Sequence, residues 1–192
     1  HSCGPGGTLD DCLPIDSQSH TIGHVEFGPD GMLYVSNGDG TSFGAVDIRA
    51  QRVQDVNSLA GKILRIDPET GLGVDTNPFW TGDGTNNASK VYSLGLRNPF
   101  RFTIHPVTGE PFIGDVGWTR WEEINTGRGA NFGWPFFEGG SGVSIQAGGY
   151  EDTDEGQAFY ATNPDVTPAI FARTHDSGAA AFIMGDFYDG NT

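Results

Sequence analysis

Between Lys90 and Gly139 the chain reads Lys90-Val-Tyr-Ser-Leu-Gly-Leu-Arg97-Asn98-Pro99-Phe-Arg101-Phe102, then Ile113-Gly-Asp115-Val-Gly117-Trp118, Trp121-Glu122-Glu123-Ile-Asn125, and Gly129-Ala-Asn131-Phe-Gly133-Trp134-Pro135. Val91, Leu94 and Leu96 lead into a strand. Asn98-Pro99 interrupts it, because the residue before a proline is held extended and proline gives nothing to a ladder. The strand resumes over residues 100–104, where apolar side chains alternate with Arg101 and Thr103. His105-Pro-Val-Thr-Gly109 has the composition of a turn, and residues 111–115 return as the antiparallel partner. Arg97, Asn98 and Asp115 then lie at the ends of paired strands, on a rim where side chains can converge on a ligand.

Working outward, the same pattern occurs earlier. Residues 22–27 form an apolar strand, Gly28-Pro29-Asp30-Gly31 a turn, and residues 32–36 the returning strand, which runs into Asn37-Gly38-Asp39-Gly40. Proline presets one turn dihedral and glycine accepts the positive one. A further strand is expected over residues 61–67 and stops at Pro68-Glu-Thr-Gly71. The unit of strand, turn, strand and Gly-Asp thus covers residues 27–39 and again 102–115. A degraded third copy begins at Ala181-Phe182-Ile183, with Gly185-Asp186 and Tyr188 beyond. Repeated antiparallel units that cannot bury their apolar faces alone predict an all-β fold of propeller blades. An arc of such blades leaves sheet faces uncovered and a central channel open, so further blades are expected from the same polypeptide or another chain.

The composition agrees. Thirty glycines and eleven prolines among 192 residues suit short strands joined by turns and disfavour helices. The nearest helical candidate, residues 45–59, shows no clear apolar face. The formal charge is −15, and Lys62 and Lys90 are the two lysines among ten basic residues. Nucleic acid and anionic membrane surfaces both require a basic patch, so both are excluded as partners. No transmembrane run appears. Cys3 and Cys12 flank Gly4-Pro5-Gly6-Gly7 and are either free thiols or a short disulfide. A disulfide points to a secreted or periplasmic protein, and with no signal peptide visible such a chain would already be processed.

The fragments quoted from Lys90 to Gly139 resemble, in kind and in order, the glucose/sorbosone dehydrogenase family. These are soluble quinoprotein sugar dehydrogenases that hold pyrroloquinoline quinone (PQQ) on a six-bladed β-propeller. The resemblance implies a partial propeller over residues 1–192, about half of the whole. It also implies an aldose substrate, PQQ as cofactor and a calcium ion beside it.

On that resemblance His20, in His20-Thr-Ile-Gly23, matches the family's general base, a role that suits a group titrating near neutral pH. Ser19 before it is polar but uncharged, and His24 is a competitor placed inside the strand. Arg97 and Asn98 match the pair that contacts the quinone and stabilises charge as hydride arrives. In isolation Arg97 could equally form an ion pair with Asp115. Asp115 falls beside the cofactor, and Gly117 and Trp118 match positions whose backbone carbonyls ligate calcium. Val116 replaces a polar residue there and Trp118 a proline. Glu122, in the acidic pair with Glu123, is a further metal candidate, and Gln51 matches a glutamine facing the sugar.

Asp39 and the run Glu151, Asp152, Asp154 and Glu155 are oxygen-rich but lack the spacing of an EF-hand. The aromatics Trp118, Trp121, Phe132, Trp134, Phe136 and Phe137 either line a sugar pocket or pack between blades. Cofactor carboxylates need local positive charge, and after Lys90 the core stretch has only Arg97, Arg101, Arg120 and Arg128 to supply it. Two other readings stay open: a propeller-like binding module without chemistry, and a calcium-stabilised surface or filament subunit.

Overall fold

The computed structural model describes residues 12–188 and 190. Among them, eight strands form two four-stranded antiparallel sheets in meander order. The first sheet contains β1 (Ile22–Phe27), β2 (Leu33–Asn37), β3 (Lys62–Ile66) and β4 (Val91–Leu94). The second contains β5 (Pro99–Ile104), β6 (Pro111–Asp115), β7 (Trp121–Thr126) and β8 (Phe171–Thr174). Each strand pairs with its successor, which is the connectivity of a propeller blade.

Both expected hairpins are present. β1 turns into β2 with Phe27 opposite Leu33, through a turn in which Gly31 has φ 77° and Asp30 Oδ1 accepts from Met32 N at 3.0 Å. β5 pairs with β6 with Phe102 opposite Ile113. One expectation is corrected. Asn98-Pro99 does not interrupt a single strand, because β4 closes the first sheet at Leu94 and Pro99 opens the second, opposite Asp115. A proline that begins an edge strand leaves no ladder hydrogen bond unmade.

The third copy of the repeat forms no strand over residues 181–188. Its backbone nevertheless crosses the second sheet closely: a Cβ on Gly114 would lie 2.7 Å from Phe182 O, and Phe182 N donates to Glu122 Oε2 at 3.1 Å. Two helices were not foreseen, the short α1 (Asn87–Lys90) and α2 (Asp154–Ala161). The acidic run explains α2 in retrospect. Thr153 caps it through Gly156 N at 3.0 Å, and Asp154 and Glu155 sit in its first turn, where the helix dipole favours negative charge. A 3₁₀ helix at Ile48–Gln54 lies inside the expected helical window, capped by Asp47.

The main core joins the blades. Tyr34, Ile63 and Tyr92 of the first sheet pack with Phe102, Ile104 and Ile113 of the second, and full burial of each aliphatic or phenyl side chain contributes about 2 kcal/mol. A second cluster gathers Ala50 and Val53 of the 3₁₀ helix with Trp134, Phe136 and Tyr150. Cys12 is disulfide-bonded, while the expected partner Cys3 lies outside the described residues.

Lys62 is fully buried in β3, and its Nζ donates to Val53 O at 2.7 Å and Ala60 O at 2.6 Å. The amine thereby ties the 3₁₀ helix and the loop after it to the sheet. Burial lowers its pKa from 10.5 to about 7, with the charge of Asp55 opposing. Between those values the unfolded chain binds the extra proton, so stability from this site rises with pH, by at most about 1.4 kcal/mol per pH unit. Relative to Lys62→Met, the wild type should gain stability from pH 7 to 10 in urea unfolding and show no such gain below pH 7. A difference independent of pH would mean that the amine stays charged in place.

Candidate active site

His20 precedes β1 in a left-handed conformation, φ 58°, which costs a residue with a side chain about 1–2 kcal/mol. The segment after β2 holds it there. Gly40 N donates to His20 O at 3.0 Å, Gly38 N to Thr21 O at 3.2 Å, and Asp39 N to Arg97 O at 2.8 Å. Gly38 must lack a side chain, because a Cβ would stand 2.5 Å from His20 O and 2.9 Å from Arg97 O. Three chain segments distant in sequence therefore meet at backbone contact, and their side chains share one site.

His20 Nδ1 lies 2.8 Å from Asp39 Oδ1, with both side chains inaccessible to solvent. Every other contact of the Asp39 carboxylate is with a donor: Thr41 N reaches Oδ1 at 2.9 Å and Trp134 Nε1 reaches Oδ2 at 2.8 Å. An acceptor-only carboxylate assigns the proton to Nδ1 and leaves Nε2 with a free lone pair. Nε2 is buried and has no partner. An imidazole so oriented can accept a proton at Nε2.

Arg97 is 2% exposed. Its Nη1 donates to Val116 O at 2.9 Å and Gly117 O at 2.6 Å, and its guanidinium carbon stands 5.5 Å from the Trp134 ring and 6.0 Å from the Phe43 ring. Burial disfavours its charged form and lowers its pKa, while Asp39, Asp115 and Glu138 act in the opposite sense. Arg97 Nε is buried without a partner. The Asn98 side chain is half-buried and makes no hydrogen bond among the described residues.

Below these residues lies a layer of carboxylates, each committed to backbone N–H groups. Asp115 accepts from Arg97 N at 3.0 Å and Asn98 N at 2.7 Å. Glu122 Oε2 accepts from Gly117 N at 3.1 Å, Glu123 from Gly139 N, and Glu138 Oε1 from Trp118 N. Burial, reinforced by the charge of Glu123, raises the pKa of Asp115 well above the usual carboxylate range. Burial also raises Glu123 and carries Glu138 to about 7.

The structure thus joins His20, Arg97 and Asn98, and gives Asp115 the task of holding the loop that carries the latter two. Gln51 is not brought in: it is exposed on the 3₁₀ helix. Its neighbour Gln54 faces inward, donating to Trp134 O at 2.6 Å and Asn131 Oδ1 at 3.1 Å. His24 lies within β1 beside Glu26, 3.5 Å away. Asp39 and Trp134 are the site residues whose roles the sequence left unassigned. Their visible signals were the Gly-Asp that closes the first repeat and the Gly-Trp-Pro fragment.

The two expected cofactors fare differently. The unpartnered Arg97 Nε–H fits an oxygen acceptor such as PQQ carries, while the lone pair of His20 Nε2 fits a hydroxyl donor. Calcium does not fit the expected ligand set. Arg97 Nη1 already holds Gly117 O at 2.6 Å, and a dication on that oxygen would face the guanidinium charge at close range. Glu122 points Oε2 at Gly117 N and Phe182 N and Oε1 at His175 Nε2, 2.7 Å away. Among the described residues no group of three or more His, Cys, Asp or Glu is arranged to hold a metal.

Comparison with known proteins follows the same line. The family profile described as Glucose / Sorbosone dehydrogenase matches residues 10–189. The HIPL2 protein of Arabidopsis thaliana is 32% identical over 202 residues, covering 94% of this chain and 27% of the relative. The HIPL1 protein of the same plant is 33% identical over 138 residues, 63% of this chain and 19% of the relative. Among solved structures, the PQQ-bound aldose sugar dehydrogenase of Streptomyces coelicolor superposes with a TM-score of 0.55 at 33% identity, over 70% of this chain and 36% of that one. The putative oxidoreductase (glucose dehydrogenase) of Thermus thermophilus gives 0.53 at 39% identity, over 65% and 36%. The chain spans about a quarter of HIPL2, 27%. With one profile running across both meander blades and the His20 and Arg97 segments alike, this chain is a partial β-propeller that belongs to the glucose/sorbosone dehydrogenase family.

Proposed function

We propose that this segment carries the base and the quinone-facing residues of a PQQ-dependent aldose dehydrogenase, in a site completed by further blades. The observation that carries the reading is His20, with Nδ1 committed to Asp39 and Nε2 buried and unpartnered. Oxidation at an anomeric carbon removes a proton from the hydroxyl and a hydride from the carbon, leaving a lactone. His20 Nε2 takes the proton, and Asp39 stabilises the imidazolium that forms. PQQ, when bound, supplies the two-electron acceptor. Arg97 Nε and the Asn98 amide would hold it and stabilise the negative charge that develops on its oxygen. Trp134 and Thr41 fix Asp39, while Val116 and Gly117 fix Arg97.

Calcium has no part in this reading, since Arg97 already occupies the Gly117 carbonyl. The disulfide at Cys12 supports a secreted or periplasmic location. Among the described residues no helix is long and apolar enough to cross a membrane.

One observation favours a second reading, a binding module without redox chemistry. Arg97 Nη1 is held by two carbonyls of the chain, and the guanidinium lies within the influence of Asp39, Asp115 and Glu138, a setting that disfavours a cofactor bearing carboxylates.

Reconstitution with PQQ, followed by aldose-dependent dye reduction, decides between them. His20→Ala should lower turnover by about 100-fold or more. Asp39→Asn should cost about 10- to 100-fold in kcat, because the imidazole loses the carboxylate that orients it. Aldose oxidation unaffected by His20→Ala would remove the base from His20, and failure of the completed protein to bind PQQ would leave the binding module. Arg97→Lys should weaken PQQ about tenfold in equilibrium dialysis, since an ammonium cannot hold two carbonyls and present a further planar N–H.

A further inference from the structure

The loop between Asp39 and the 3₁₀ helix is tied at its base and bare at its tip. Thr41 N donates to Asp39 Oδ1 at 2.9 Å, Ser42 N to Asp47 Oδ2 at 3.2 Å, and Asp47 N to Tyr150 Oη at 3.1 Å. Between these ties run Phe43, Gly44, Ala45 and Val46, all exposed, with the Phe43 side chain at 71% and open space around Gly44. Phe43 is therefore an apolar ring left in water. It does not hang free, however, for its centroid lies 6.2 Å from the His20 ring, tilted by 53°. Its carbonyl accepts from Arg97 Nη2 at 3.5 Å, and among the described residues it is the one aromatic ring packed near His20.

Two unfavourable features thus share one side of the site. His20 Nε2 is sealed from solvent without a hydrogen bond, and the Phe43 ring, its centroid 6.2 Å from that of the imidazole, is exposed. Among the described residues nothing relieves either. A ligand that offers a hydroxyl to Nε2 and a C–H face to the ring relieves both, and a sugar ring carries the two together. Admitting the hydroxyl then requires the ring to move, and Gly44, with open space around it, gives the tip that freedom.

We propose that Phe43 is the substrate gate of the His20 site: its ring covers Nε2 in the sugar-free chain, swings aside for the aldose, and then packs on the sugar's C–H face. The sugar part of this inference rests on the proposed dehydrogenase reading, whereas the covering part does not.

Carbethoxylation by diethyl pyrocarbonate, followed by peptide mass spectrometry, tests the gate on the chain without cofactor. His24, His105 and His175 serve as internal references. In the wild type His20 should react about tenfold or more slowly than His24, because reaction needs local opening. Phe43→Ala should bring His20 close to the His24 rate and leave the references unchanged. Val46→Ala, in the same tip but without a ring near His20, should leave His20 slow. An unchanged His20 rate in Phe43→Ala, or equal acceleration by Val46→Ala, overturns the gate. Glucose added to Phe43→Ala should slow His20 again. If the variant opens His20 but glucose does not protect it, the gate stands and the aldose reading falls.

Discussion

The site is organised by buried carboxylates that accept from backbone N–H groups at the ends of strands. Asp39 holds Thr41 N as well as the His20 ring, Asp115 holds the amides of Arg97 and Asn98, and Glu122, Glu123 and Glu138 hold those of Gly117, Gly139 and Trp118. A loop with buried N–H groups must find acceptors or forfeit about 1–3 kcal/mol for each. Three of the acceptors, Asp115, Glu122 and Glu123, come from β6 and β7, and Asp39 follows the end of β2 by two residues. The loops bearing His20, Arg97 and Asn98 thereby inherit the rigidity of β2, β6 and β7, although none of the three residues lies within a strand.

That arrangement explains how so acidic a chain builds an electropositive point. The carboxylates nearest Arg97 are turned toward amides, so its guanidinium meets carbonyls and rings instead of a counter-ion. Burial opposes its charge, and the more distant fields of Asp39, Asp115 and Glu138 support it. A contact ion pair with Asp115, the plain alternative at the level of sequence, would have tied up the group. Instead Asp115 reaches Arg97 through the backbone nitrogen and leaves the guanidinium to point elsewhere.

Strand positions were legible because they follow from alternation and turn chemistry, both local. The hairpins 27–39 and 102–115 appear where read, as antiparallel pairs. Which sheet a strand joins is not local, and so Asn98-Pro99 read as a break in one strand when it is the passage between two blades. The acidic run at 151–155 is the opposite case, where charge masked a helix whose dipole it complements. Within the candidate site, His20 and the Arg97-Asn98 pair were proposed from fragments of sequence, and the structure brings the backbones of His20 and Arg97 together about Gly38. Asp39 could not be paired with His20, because 19 residues and a strand reversal separate them. Gln51 shows the limit of matching by spacing, since three residues decide between the exposed side of a 3₁₀ helix and the inward position that Gln54 takes.

One consequence bears on how such a site is shared between blades. Arg97 keeps its Nε–H unpartnered, and the carboxylates around it keep the surrounding field weak. That is enough to meet one polar oxygen and stabilise the charge growing on it, but not to neutralise the carboxylates of a quinone cofactor. On the dehydrogenase reading, the two tasks are divided. The segment with His20 and Arg97 supplies the atoms near the reacting carbon, where orientation matters most. The cations that such a cofactor needs at its periphery would then have to come from other blades. An arc of two blades can then be complete in its chemistry near the base while remaining too weakly cationic to hold the cofactor alone.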